Sequence, residues 1–127
     1  MSSWSTCKTP AGALPLAFCL CKGGNFMDIQ AYINEVWPKL HALAEPAFKE
    51  VRTAAFLADF LRKLGYDVTE NVGNTTALTA VLDSGKPGPT VAVRTDMDCL
   101  LFKNEDGSLA PIHACGHDAH MTIALGV

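Results

Sequence analysis

Residues 113–127 read His-Ala-Cys-Gly-His-Asp-Ala-His-Met-Thr-Ile-Ala-Leu-Gly-Val, and the first eight of them hold three histidines, a cysteine and a carboxylate. No other part of the chain is as dense in groups that bind metals or move protons. In an extended backbone, side chains two residues apart point the same way, which puts His113, Cys115 and His117 on one side. A thiolate and a neutral imidazole at that spacing can grip one divalent ion. Both are typical zinc ligands, and imidazole serves other transition metals as well. Gly116 lets the backbone turn between the two without a side-chain clash. Asp118 is placed to cap a helix that begins near Ala119, with Met121, Ile123, Ala124, Leu125 and Val127 on its apolar side. His120 reads as a structural histidine. For His113 a ligand and a structural role both stand.

Upstream, Thr90 to Arg94 reads as a strand, with Val91 and Val93 on one face. The chain then gives Asp96-Met97-Asp98. A strand that ends in carboxylates is where an α/β sheet places its site, beyond the carboxyl ends of the strands. Taken alone, the two aspartates read as a solvated acidic turn or a helix cap. With the histidine-rich stretch downstream, they read as part of a site.

These two stretches, HACGHDAHMTIALGV and RTDMDCL, resemble the N-terminal signature of the metal-dependent aminoacylase and hippurate hydrolase family. That family includes auxin-conjugate amidohydrolases and aminobenzoyl-glutamate hydrolases. Its usual forms are H-A-C-G-H-D-G-H-T and R-A-D-M-D-A-L-P. The resemblance implies a two-metal peptidase-like site holding divalent ions, zinc or manganese, with Cys115 and His117 as ligands. It assigns Asp98 the part of the aspartate that buttresses a ligand or the catalytic base. Asp96 stands where related enzymes carry a ligating histidine, and its role stays open. The chain departs from the pattern at Cys99 for Ala and at Ala119 for Gly. The implied substrate is a small N-acyl amino acid or related conjugate, and the implied full-length form is a homodimer.

Two helices precede the strands. Ile29, Tyr32, Ile33, Val36, Trp37, Leu40 and Leu43 recur at helical spacing. Asp28 sits at the end where the helix dipole favours an acid, and Pro38 should kink or break the pattern. A second helix is predicted from about Ala47 to Leu64, with Phe48, Val51, Ala55, Ala58, Leu61 and Leu64 on its buried face and Gly65 as its stop. The run HALAEPAFKEVRT is similar to the family's H-x-x-P-E-L-x-x-x-E-x-x-T through His41, Glu45, Glu50 and Thr53, with Ala44 for the usual Pro. His41 itself, a lone histidine beside an apolar stripe, reads as structural. Tyr66 to Val72 and Thr76 to Leu82 are two further strand candidates. Asp83 to Pro89 and Asn104 to Ser108 are turns. Thr76 replaces a usual Gly, and Glu105 is a loose match to a substrate-side Glu of the family.

The fold class expected is α/β: two helices, strands of a mixed sheet, then a helix, as the N-terminal part of a metallopeptidase-type catalytic domain. The net charge of −3 and the absence of a Lys/Arg cluster exclude a nucleic-acid partner. No apolar run reaches the ~18 residues of a membrane span. Five cysteines at irregular spacing argue against a disulfide framework and for a reducing, cytoplasmic setting. Cys19 and Cys21 have no nearby second pair to complete a metal knuckle. Residues 1–26 differ from the rest and read as a poorly ordered extension, with a weak likeness to a signal peptide. Residues 27–127 then match only the opening of a family member. The Glu pair, two more histidines and lid domain that the resemblance calls for are not in this sequence, so the expectation is a fragment inactive by itself. The alternatives are a small structural module closing one ion with His113, Cys115, His117 and Asp98, or a remnant without metal.

Overall fold

The computed structural model describes residues 28–127, and the readings of residues 1–26 lie outside them. Helix α1 spans Ile29–His41. Asp28 caps it, its Oδ1 accepting from the amides of Gln30 (3.0 Å) and Ala31 (3.1 Å), which answers two of the amide donors that a helix start leaves free. Tyr32, Val36 and Leu40, each one turn from the next, form its buried line. Pro38 does not end the helix, which runs on to His41. The proline lies on the exposed side, where water can serve the carbonyl that its missing N–H leaves free.

Helix α2 spans Val51–Lys63, four residues later than predicted. The cause is the connection. Pro46 bridges in parallel to Cys99, and Phe48 takes a left-handed φ of 62°, so no helix can run through it. The cap comes from upstream: the Glu45 carboxylate accepts from the amides of Arg52 (3.3 Å) and Thr53 (2.8 Å) and from the Thr53 hydroxyl (2.8 Å). Arg52 Nε adds an ion pair at 3.1 Å. Glu50 accepts from the Phe48 amide (3.0 Å) and from the Thr76 hydroxyl. The buried face is Thr53, Ala54, Leu57 and Ala58. Phe48 and Val51, expected inside, are exposed, because the late start turns the first residues of the run outward.

Strand β1 (Asp67–Thr69) pairs antiparallel with β2 (Thr79–Val81), and β3 (Leu100–Lys103) with β4 (Leu109–Ile112). The 104–108 turn predicted from composition closes this second hairpin: Gly107 at φ 85° makes the reversal, and Asp106 accepts from the Ser108 amide at 2.9 Å. Residues 90–94, predicted as a strand, form none. Val91 and Val93 are spaced to share one face, but no described residue offers them a ladder. Helix α3 spans His117–Gly126.

Among the described residues the architecture is α/β, three α-helices with two small antiparallel sheets. Its core sits where α1, α2 and α3 meet: Tyr32, Val36, Leu40, Leu57 and Met121, flanked by Phe56, Phe60, Leu78, Met97 and Leu125. Burying a side chain of this size contributes roughly 1.5–3 kcal/mol. Among the described residues no helix is long and apolar enough to cross a membrane.

Candidate functional site

The site lies where the extended run after β2 reaches Asp98 and meets the start of α3. The chain is fixed on one side of Asp98 by the Cys99 amide, which donates to the Glu45 carbonyl at 2.9 Å. Cys99 is buried, and burial pushes its thiol pKa up; it packs rather than reacts. From β4 the backbone turns, Ala114 donating to the Ile112 carbonyl (2.9 Å). It then bends at Cys115 and Gly116, where Gly116 adopts φ 87° and heads α3. That left-handed angle suits glycine.

Two expected residues meet at Asp98. His117 Nδ1 lies 2.8 Å from Asp98 Oδ1 and 3.0 Å from the Asp98 carbonyl oxygen. Both partners are acceptors, so the hydrogen-bond network places the proton on Nδ1 and leaves Nε2 with its lone pair. Asp96 Oδ2 is 4.0 Å from that free Nε2, while its Oδ1 pairs with Arg94. The Cys115 thiol lies 3.9 Å from the same Asp98 carbonyl. Cys115, His117, Asp96 and Asp98 are all partly exposed.

His113 does not join them. The bend at Cys115 and Gly116 breaks the extended spacing that would have put all three side chains together. The His113 ring is buried beside that of His41, their centroids 6.2 Å apart. Neither of its nitrogens has a hydrogen-bond partner. Burial lowers its pKa, opposed by the charge of Asp118, so the ring is neutral. Among the described residues no three His, Cys, Asp or Glu side chains converge closely enough to hold a metal. A closed module of His113, Cys115, His117 and Asp98 therefore does not fit. The donor chemistry of Cys115 and His117, with two carboxylates beside them, fits part of a ligand set. His120 is exposed, its ring 6.0 Å from that of His117, and Glu105 lies in the exposed hairpin turn.

Asp118 is not the helix cap it was expected to be. It lies inside the first turn of α3, only 3% exposed. Its Oδ2 accepts from Trp37 Nε1 at 2.8 Å and lies 2.7 Å from His41 Nδ1. Burial works to raise its pKa, but the hydrogen bonds from His41, the Ala119 amide and Trp37, with the nearby His113, outweigh it, and the net shift is downward. The carboxylate is thus ionised and His41 donates to it. Sequence reasoning missed this cluster. The one local signal was Trp37 and His41, two polar-tipped rings one helical turn apart beside an apolar stripe.

Known proteins resemble this chain over most of its length. It is 40% identical over 105 residues to thermostable carboxypeptidase 1 of Saccharolobus solfataricus, covering 78% of this chain and 27% of that protein. It is 38% identical over 94 residues to an N-acetyldiaminopimelate deacetylase of Listeria innocua, covering 69% and 25%. To the indole-3-acetyl-aspartic acid hydrolase of Enterobacter agglomerans it is 31% identical, covering 78% and 36%. No family model matches the chain, and no solved structure matches it significantly. The relatives carry the names of a carboxypeptidase, a deacetylase and a hydrolase. The chain belongs to the amidohydrolase family of the hippurate hydrolase type, and spans about a quarter of the length of the first of these relatives.

Proposed function

We propose that the chain contributes to metal-dependent hydrolysis of the amide bond of an N-acyl amino acid or related conjugate. Cys115 and His117 would hold a divalent ion, zinc or manganese, as part of a two-ion site, and Asp98 would orient His117. The observation that carries this reading is the His117–Asp98 pair, 2.8 Å between Nδ1 and Oδ1, next to the Cys115 thiol. A carboxylate on one imidazole nitrogen fixes the tautomer and raises the basicity of the other, the usual second partner of a metal-bound histidine. Thiolate and imidazole donors suit zinc; the carboxylates beside them also suit manganese.

A bound ion of this kind lowers the pKa of a coordinated water and polarises the scissile carbonyl. The rest of the chemistry assignable to this chain is positional. Asp98 holds one nitrogen of His117 and so keeps the other available. Asp96 places a second carboxylate within 4.0 Å of that nitrogen. Two relatives are named for N-acylated amino acids, N-acetyldiaminopimelate and indole-3-acetyl-aspartate, which favours this substrate class.

The test is metal binding by the purified chain, followed by equilibrium dialysis with zinc and with manganese, alongside hydrolysis of N-acetyl and N-benzoyl amino acids. Cys115→Ser/His117→Ala is expected to lose most of the bound metal and any turnover. Equal metal binding by parent and double variant, or turnover that survives chelation, would overturn the reading.

A further inference from the structure

The residue before helix α3 is Gly116, which has no side chain to cap it. A helix start without a side-chain cap leaves its first amides to find other partners, yet His117, the first residue of this helix, must hold its ring against Asp98. Something else must fix the first turn. Successive residues of an α-helix are rotated by ~100° about its axis, so anchoring the side chain of residue 118 fixes the direction in which residue 117 leaves the helix. The Asp118 carboxylate is anchored twice. One oxygen takes the Trp37 indole N–H at 2.8 Å and His41 Nδ1 at 2.7 Å, two donors one turn apart on α1. The His41 ring is itself flanked by Trp37, centroids 5.1 Å apart, and by the buried His113, 6.2 Å apart. The Thr122 hydroxyl donates to the Asp118 carbonyl at 2.8 Å and stiffens the same turn.

We propose that Asp118, gripped by Trp37 and His41, is the positioning residue that turns the His117 ring toward Asp98 and leaves its Nε2 free. The inference rests on the proposed function for what that nitrogen is used for, but not for how the ring is held.

A second tie between the two helices supplies the control. The Tyr32 hydroxyl donates to the Thr122 carbonyl at 2.7 Å, farther along α3. Tyr32→Phe removes one buried hydrogen bond from the same seam without touching the first turn. The experiment is ¹H–¹⁵N correlation of the histidine ring nitrogens in the metal-free chain, at a pH where imidazole is neutral. In the parent protein His117 should be mainly the Nδ1–H tautomer. In Trp37→Phe the ratio of Nδ1–H to Nε2–H should fall by roughly fivefold, the net worth of one hydrogen bond, and in Asp118→Asn further. Tyr32→Phe should keep the parent ratio. Circular dichroism selects the variants that remain folded, and Trp37→Phe serves if Asp118→Asn does not. A parent-like ratio in folded Trp37→Phe would overturn the inference, as would an equal fall in Tyr32→Phe. Because the readout needs no metal, it can fail while the metal-binding test succeeds, and the reverse.

Discussion

The α1–α3 seam and the stretch from residue 90 through the β3–β4 hairpin are about equally apolar in sequence, and they fold very differently. In the seam, Val36, Leu40 and Met121 are at most 1% exposed, and among the described residues every buried side-chain nitrogen and oxygen save those of His113 has a partner. In the other region Val91, Val93, Leu101, Phe102 and Leu109 all remain exposed, although β3 and β4 pair residue for residue. The difference teaches that apolar content decides burial only when a second element supplies the opposite face. The candidate site spans the boundary: Asp98 arrives on the exposed run, and His117 is fixed from the seam.

The largest effect should come from the seam itself. Leu40 is fully buried between the helices, and Leu40→Ala should cost ~2–5 kcal/mol, the transfer term plus the cavity left behind. Urea unfolding monitored by circular dichroism measures it. A cost below ~1 kcal/mol, the range of a site that is not close-packed, would place the seam in the same class as the hairpin and end the contrast.

A smaller effect with a characteristic pH dependence should come from Glu45. Burial raises its pKa, but the Thr53 amide and hydroxyl and the Arg52 contacts outweigh it and hold it below the ordinary glutamate value. A depressed folded-state pKa means that the stabilisation is fully present above the unfolded value, ~4.3, and is lost as pH falls through the folded value. Glu45→Gln should lower stability by ~1–2 kcal/mol near neutrality, as for loss of a helix cap. The variant should also lose less stability than the parent between pH 5 and pH 3, taken as about the carboxylate range. Parallel stability–pH curves would show that the capping charge is not the source.

What the sequence made legible was whatever depends on near neighbours. Asp28 and the spacing of Tyr32, Val36 and Leu40 gave α1 its start and its buried line, because both are local to one helix. The turn at 104–108 was legible for the same reason. The strands on either side were not. Leu100, Leu101 and Phe102 are consecutive apolar residues with both faces exposed, so they show none of the alternation by which a half-buried strand is read. Thr90 to Arg94 sets Val91 and Val93 on one face but lacks a partner, and pairing is a property of two segments. The start of α2 was misplaced because its cap, Glu45, lies outside the helix and Phe48 takes a backbone angle unusual for an aromatic residue. At the site, the types of Cys115, His117 and Asp98 pointed to the chemistry. The separation of His113 and the anchoring of Asp118 did not show, because the first depends on a bend and the second on donors 77 and 81 residues away.

The smallest effect should be at Val91, which is 83% exposed in a run with no ladder partner among the described residues. Thr and Val are both β-branched and nearly the same shape, so Val91→Thr leaves the backbone preference of an extended segment in place. It changes only the apolar surface offered to water, and a substitution of that kind falls within about ±0.5 kcal/mol. The same Val→Thr change in the seam, at Val36, would set a hydroxyl against the apolar core, and even donating to the Tyr32 carbonyl one turn back it would cost at least ~1 kcal/mol. Made together and read from the same denaturation curves, the pair isolates the opposing face as the one variable, since the chemical change is identical. If both substitutions cost the same, residues 90–94 are packed in solution, and Asp98 is held from the side of that run as firmly as His117 is held from α1.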